Sequence, residues 1–549
     1  MGPSPAPMRT GDMDRRQFLI ASARAGAVVG LASIVEACGA SLPRPPASVR
    51  PPAAVSLGRT PPLGPPVVVP AAEPPGSPVR RPNVVARENR LPGDASWDPG
   101  FEPGPPSAQG FLSATSAAPG DALDLHLTSP VDVDVDWYRL GWYGGLGGRL
   151  VRSDRRVSAA PAGPPRIDST TGRIEATGGR VLATRVDPSW PSGAYVAVLR
   201  PIDGSPPGGA PFTILPAPSA PKAGVLFVQA ATTSQAYNLW GGADLYGGPN
   251  GISVDGERTR RAVNVSFDRP FLLRRGLGLM PRWELNFIRW LEREERDADY
   301  CADVDLELRP ELVRGRRLIL FVGHHEYWSR PMRETLESAI ASGTNVAFLS
   351  ADEMAWQVRF EASPVGAGRR VVCWKSKTQD PITPSQPALT TCRWREPPLD
   401  DPEATVIGQM YGHVVARVAD WVVASSGHWL YAGTGLRDGD RITNLVGQEY
   451  DTFFPALAPP GTTILARSPV QPKLHAEAAP AIPSQQPLDD RMHTATIYTA
   501  ESGATVFAAG TFQWSWALDA IGDRSWLGVV TPLDSRVERM TRNLLDRLG

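Results

Sequence analysis

Leu318-Ile-Leu-Phe-Val-Gly-His-His-Glu-Tyr-Trp-Ser-Arg-Pro331 changes character twice within a few residues. Leu318 to Val322 is apolar without alternation, the pattern of a strand buried on both faces of an α/β sheet. Ser329 and Pro331 then supply a helix N-cap and a first-turn proline, Met332, Leu336 and Ile340 recur at helical spacing, and Gly343 ends the run. Between strand and helix sits Gly323-His324-His325-Glu326-Tyr327-Trp328. Open parallel sheets bind ligands beyond the carboxyl ends of their strands, so this cluster marks the edge where chemistry is expected.

Val225 to Val228 and Val346 to Leu349 are two more runs of the same kind. Tyr237-Asn238 and Tyr246 follow the first, and Asp352 and Glu353 follow the second. Trp283, Phe287, Trp290 and Leu291 predict one further helix, and Val537, Met540, Leu544 and Leu548 another. An α/β domain with a largely parallel sheet is therefore expected over 220–549, with three polar clusters meeting at one edge. Upstream, over 107–215, the period is two: Leu123, Leu125 and Leu127 alternate with polar neighbours, as do Val131, Val133, Val135 and Trp137. Gly144, Gly145, Gly147 and Gly148 read as a turn, and a β-sandwich of immunoglobulin-like type is expected. Asp132, Asp134 and Asp136 share the wet face of one strand; a solvated face is the simpler reading, a calcium site the alternative.

The chain has 549 residues, which at roughly 150 per domain suggests several folded units. Its 56 Lys and Arg balance 57 Asp and Glu, so no global field favours nucleic acid. Asp14-Arg15-Arg16-Gln17-Phe18-Leu19-Ile20 and the mildly apolar stretch after it resemble a twin-arginine export signal, and Val35-Glu36-Ala37-Cys38 resembles a lipoprotein cleavage box. Residues 1–38 are thus expected to direct export, with Cys38 lipidated as the only membrane attachment, leaving a cell-membrane lipoprotein that faces outside the cytoplasm. Residues 39–106 are expected to be a linker, since 14 of the 40 positions from 43 to 82 are proline. Of the other cysteines, Cys373 and Cys392 could bridge outside the cytoplasm, a pairing the sequence leaves open, and Cys301 is read as an apolar filler.

Serine, nucleotide and zinc-helix motifs are missing from the chain. The expected sheet topology is amidotransferase-like, yet no Cys stands at a strand end to act as nucleophile.

Five segments carry a resemblance: Tyr138-Arg-Leu-Gly-Trp-Tyr-Gly-Gly, Ala236-Tyr-Asn-Leu-Trp-Gly-Gly, Ser266-Phe-Asp-Arg-Pro-Phe, Gly323-His-His-Glu-Tyr-Trp-Ser and Gly510-Thr-Phe-Gln-Trp-Ser-Trp. Together they resemble the large (beta) subunit of N,N-dimethylformamidase and its relatives, over roughly residues 107 to 549. The resemblance implies a mononuclear iron held by two tyrosines and one glutamate, which fall on Tyr237, Tyr246 and Glu326. Tyr327 and Tyr300 are the other tyrosines in reserve. It also implies a catalytic His324 and a lysine near the site at Lys375, with Asp352 standing where the family tends to have Asn and His325 where Asp is usual.

Two phenolates and a carboxylate are hard anionic donors that suit ferric iron and would neutralise its charge. The resemblance implies hydrolysis of the carbon-nitrogen bond of a small linear amide, and with no covalent nucleophile in view the attack falls to metal-activated water. His324, Asp352 and Lys375 are the expected catalytic groups. Zinc held by His324, His325 and Glu326 is the alternative metal site. A non-catalytic surface lipoprotein with a degenerate site is the alternative function, and both a small partner subunit and a homo-oligomer stay open.

Overall fold

Leu318–Gly323 forms a fully buried strand, and its side chains split between two cores: Leu318, Leu320 and Val322 face one, Ile319 and Phe321 the other. That division is what an apolar run without alternation demands, because both faces of the strand are covered. In the computed structural model, which describes residues 81–100, 106–254, 260–473, 487–522 and 524–549, this strand lies inside a seven-stranded sheet. The expected export signal, Cys38 and almost all of the proline-rich stretch lie outside the described residues.

The strands of that sheet are β1 (Val225–Gln229), β2 (Ala298–Ala302), β3 (Leu318–Gly323), β4 (Asn345–Ser350), β5 (Thr463–Pro469), β6 (Met492–Thr499) and β7 (Thr505–Ala508). Their spatial order is β2-β1-β3-β4-β7-β6-β5. The first five in that order run parallel, β6 adds antiparallel to β7, and β5 adds antiparallel to β6. Helices α1 (Ala231–Ala236), α2 (Leu285–Arg293), α3 (Arg330–Ala341) and α4 (Ser535–Leu548) are among those that pack around it. The start of α3 follows its sequence signals: Ser329 Oγ accepts from the Met332 N–H at 3.3 Å, Pro331 opens the first turn, and Gly343 beyond the end adopts a positive φ of 90°.

The chain is thus mixed α/β with many sheets. Ahead of the large sheet, Gln109–Leu112, Leu125–Thr128 and Arg180–Leu182 make a three-stranded sheet. A five-stranded sheet contains Val133–Leu140, Gly148–Val157, Gly193–Pro201 and Gly208–Ile214. Leu125 and Leu127 from the first share one core with Val135, Trp137, Tyr195 and Phe212 from the second, as the period-two pattern predicts. Two of the three aspartates in the row are matched by arginines: Asp134 pairs with Arg155 at 3.2 Å, and Asp136 with Arg155 and Arg200 at 3.1 Å each.

Arg139 fastens this region to α2. Its guanidinium meets the Glu292 carboxylate at 2.6 and 2.8 Å and the Tyr143 hydroxyl at 2.9 Å, all inside the protein. Tyr143 donates on to Glu88 at 2.7 Å, which also takes Arg149 at 2.8 Å. Gly141 belongs to the same motif because a side chain there would collide with the Glu292 carboxylate.

Candidate metal centre

β1 runs directly into α1, and Tyr237 closes that short helix, its N–H reaching Thr233 O at 3.3 Å. Gly241 and Gly242 then take positive φ values of 77° and 96°, reversing the chain so that Tyr246 returns beside Tyr237. The two rings stack with centroids 4.5 Å apart and hydroxyls 2.8 Å apart. Glu326 arrives from the turn after β3, its N–H held by Thr233 Oγ1 at 2.9 Å. Its carboxylate accepts from Tyr237 at 2.6 Å and from Tyr246 at 2.5 Å, so three oxygen donors meet at one buried point.

A second layer faces this trio. His324 Nε2 lies 3.3 Å from Glu326, 3.9 Å from Asp352 and 4.0 Å from Glu449. His324, Asp352 and Glu449 offer ligand atoms that all lie within 4.8 Å of one another, so this buried group too can hold a metal ion. Asp352 sits at a positive φ of 49°, and its N–H donates to Asp451 at 2.9 Å. Lys375 Nζ lies 3.2 Å from the centroid of the Tyr246 ring, and Phe512 packs on the His324 ring at 4.3 Å.

The electrostatics follow from burial among acids. Burial opposes a charged His324, but the carboxylates of Asp352, Glu326 and Glu449 outweigh it and push the ring up to about 10. Burial likewise opposes ionised Glu326, yet His324, Lys375 and the Tyr237 hydroxyl hold it down at about 2. Asp451, buried beside Asp352, is pushed up to about 7. Anionic donors around a single imidazolium make a site that favours a bound cation.

All six residues expected from the sequence, Tyr237, Tyr246, Glu326, His324, Asp352 and Lys375, are brought together. Of the reserve tyrosines, Tyr327 joins them, its hydroxyl 2.5 Å from that of Tyr246. Tyr300 does not: it lies in the Arg139 cluster, donating to Glu292 at 3.2 Å. The zinc alternative through His325 fails because that side chain points to the opposite core, edge-on to Phe321 at 5.2 Å, where burial and the His324 charge push it down to about 3. Neighbours along a strand end face opposite ways, so His324 and His325 cannot share an ion. Cys373 and Cys392 are free, buried thiols rather than a bridge, and Cys301 is buried as expected. Trp514 and Trp516 are core residues, and Phe512 of the same motif is the one that reaches the site. Glu449 was not foreseen. It opens the strand Glu449–Thr452, outside the parallel sheet, and the only sequence signal is a pair of acids, Glu449 and Asp451, flanked by Val446 and Phe453.

The model of the N,N-dimethylformamidase beta subunit-like family, C-terminal region, matches residues 134–526. The chain belongs to that family. No curated protein matches it.

Proposed function

We propose that this protein is an exported, iron-dependent hydrolase that cleaves the carbon-nitrogen bond of a small linear amide. The observation that carries the reading is the meeting of Tyr237, Tyr246 and Glu326 oxygens within 2.5–2.8 Å of one another, with His324, Asp352 and Glu449 around them. That donor set, two phenols and a carboxylate, fits ferric iron by charge and hardness. When bound, such an ion supplies polarisation of an amide carbonyl and acidification of water. The remaining steps belong to the chain. Tyr237 and Tyr246 release their phenolic protons, helped by Lys375 above the Tyr246 ring. His324 holds a proton at Nε2 under the influence of Asp352 and Glu449 and delivers it to the leaving nitrogen as the carbon-nitrogen bond breaks. Water adds to the carbonyl carbon, so the products are an amine and a carboxylic acid. Phe512 shields one face of His324 from solvent.

The two-sheet region is read as an immunoglobulin-like sandwich and the parallel strands as amidotransferase-like in topology, each supported by its strand pattern. Export by the twin-arginine route and lipidation at Cys38 are supported by the N-terminal sequence alone, and assembly with a small subunit or with itself belongs to the same proposal.

The test is turnover of a panel of compact amides, formamides included, by iron-loaded protein. His324→Ala is expected to lower turnover by about 10²-fold with iron content unchanged. No turnover of any amide by protein that holds its iron would instead support a binding module.

A further inference from the structure

The Ser266-Phe-Asp-Arg-Pro-Phe motif contributes no side chain to the candidate centre, yet it touches the tyrosine loop at point after point. Gln235 Nε2 donates to Ser266 O at 2.5 Å. Asn238 Nδ2 donates to Pro270 O at 2.9 Å, while Asn238 Oδ1 accepts from the Leu272 N–H at 3.0 Å. Arg269 Nη1 donates to Trp240 O at 3.1 Å and Ala243 O at 3.0 Å, spanning the Gly241-Gly242 reversal. These contacts sit where the loop most needs outside support. Two successive glycines in left-handed conformation give a flexible backbone, and no strand or long helix holds Tyr237 to Tyr246.

Asn238 follows Tyr237 directly and has its amide engaged on every side. Besides the bonds to Pro270 and Leu272, it donates to Gln235 Oε1 at 2.7 Å and accepts from the Trp240 N–H at 3.3 Å. The far end of the loop is tied through Asp244, whose carboxylate accepts from the N–H groups of Tyr246 and Gly247 at 2.8 Å each and feels the Arg269 charge. Asn238 and Arg269 are both almost fully buried, at 2% and 1% exposure, so these bonds are shielded from competing water.

We propose that Asn238 and Arg269 are positioning residues, which hold Tyr237 and Tyr246 side by side facing Glu326 before any metal arrives. The inference rests on the reading of these tyrosines as metal ligands, but the arrangement it describes is a property of the metal-free chain. Two phenols that must both ionise at 2.8 Å separation repel each other, and a loop free to splay would relieve that repulsion at the expense of the site. The motif supplies the restraint from outside the loop.

Hydrogen exchange of metal-free protein, read over residues 239–247, tests this. Asn238→Leu and Arg269→Met are each expected to speed exchange in that segment by roughly tenfold or more, with exchange in β3 and β4 unchanged. Arg269→Lys should restore part of the protection. Asn238→Ser is the milder variant should either of the others fail to fold. In iron-loaded protein the same variants should weaken ferric binding by roughly 10–100-fold and shift the tyrosinate charge-transfer band. Exchange that stays at the wild-type rate, or that rises equally throughout the chain, overturns the proposal. If wild-type protein takes up no iron, the metal reading fails while the exchange result still decides the positioning claim.

Discussion

Two of the buried polar clusters among the described residues are built from the same residue types and differ in how their charges are matched. Around Arg139, each carboxylate has its cation at hydrogen-bond range: Glu292 meets Arg139 at 2.6 Å and Glu88 meets Arg149 at 2.8 Å, with Tyr143 and Tyr300 filling the remaining positions. Around Glu326, three carboxylates share one imidazole at 3.3–4.0 Å, and two tyrosine hydroxyls crowd the same point. A carboxylate matched to its own guanidinium makes structure, and several carboxylates gathered on one imidazole make a place that favours a further cation. Tyrosines that look equivalent in the sequence divide on this ground, Tyr300 to the first cluster and Tyr237, Tyr246 and Tyr327 to the second.

The same substitution in each cluster sharpens the contrast. Glu292→Gln leaves the Arg139 charge buried without its counter-ion and should destabilise the protein by roughly 3–5 kcal/mol, read from denaturant unfolding. A loss below roughly 1 kcal/mol would mean that the Arg139 cluster is no staple. Glu449→Gln in metal-free protein should cost far less, roughly 1 kcal/mol, since His324 keeps Glu326 and Asp352 beside it. A cost as large as that of Glu292→Gln would erase the distinction.

A further contrast is in pH dependence. His324 is held at about 10 in the metal-free chain against an ordinary 6.5, so its stabilising contribution is complete below pH 6.5 and is lost as pH rises through 10. The denaturation midpoint of metal-free wild type should therefore fall over that window, and His324→Gln should flatten the fall. Parallel curves for the two proteins would show that His324 is not the counter-cation of this cluster.

Much of the scaffold could be read from local pattern. Leu318 to Val322 announced a doubly buried strand, Ser329, Pro331 and Gly343 bounded a helix, and alternating Leu125 and Leu127 gave a sheet face, because each of these is decided by neighbours along the chain. Strand ends pointed to much of the site, and Lys375 was legible only through the family resemblance. Tyr237, Glu326 and Asp352 follow β1, β3 and β4, so the topology of parallel sheets brings them together. Glu449 comes from an antiparallel strand that folds back over the edge, and Phe512 from a turn after β7; no periodicity signals such long-range returns. The opposite facing of His324 and His325, the loss of Tyr300 to the Arg139 cluster and the unbridged Cys373 and Cys392 depend on side-chain direction, which spacing does not fix.

The central proposal is that Tyr237, Tyr246 and Glu326 hold a metal ion, and it is tested most directly by measuring iron and the visible spectrum on protein matured with ample iron. The account predicts about one iron per chain and a tyrosinate-to-iron charge-transfer band. Protein that emerges without iron and without that band would contradict it.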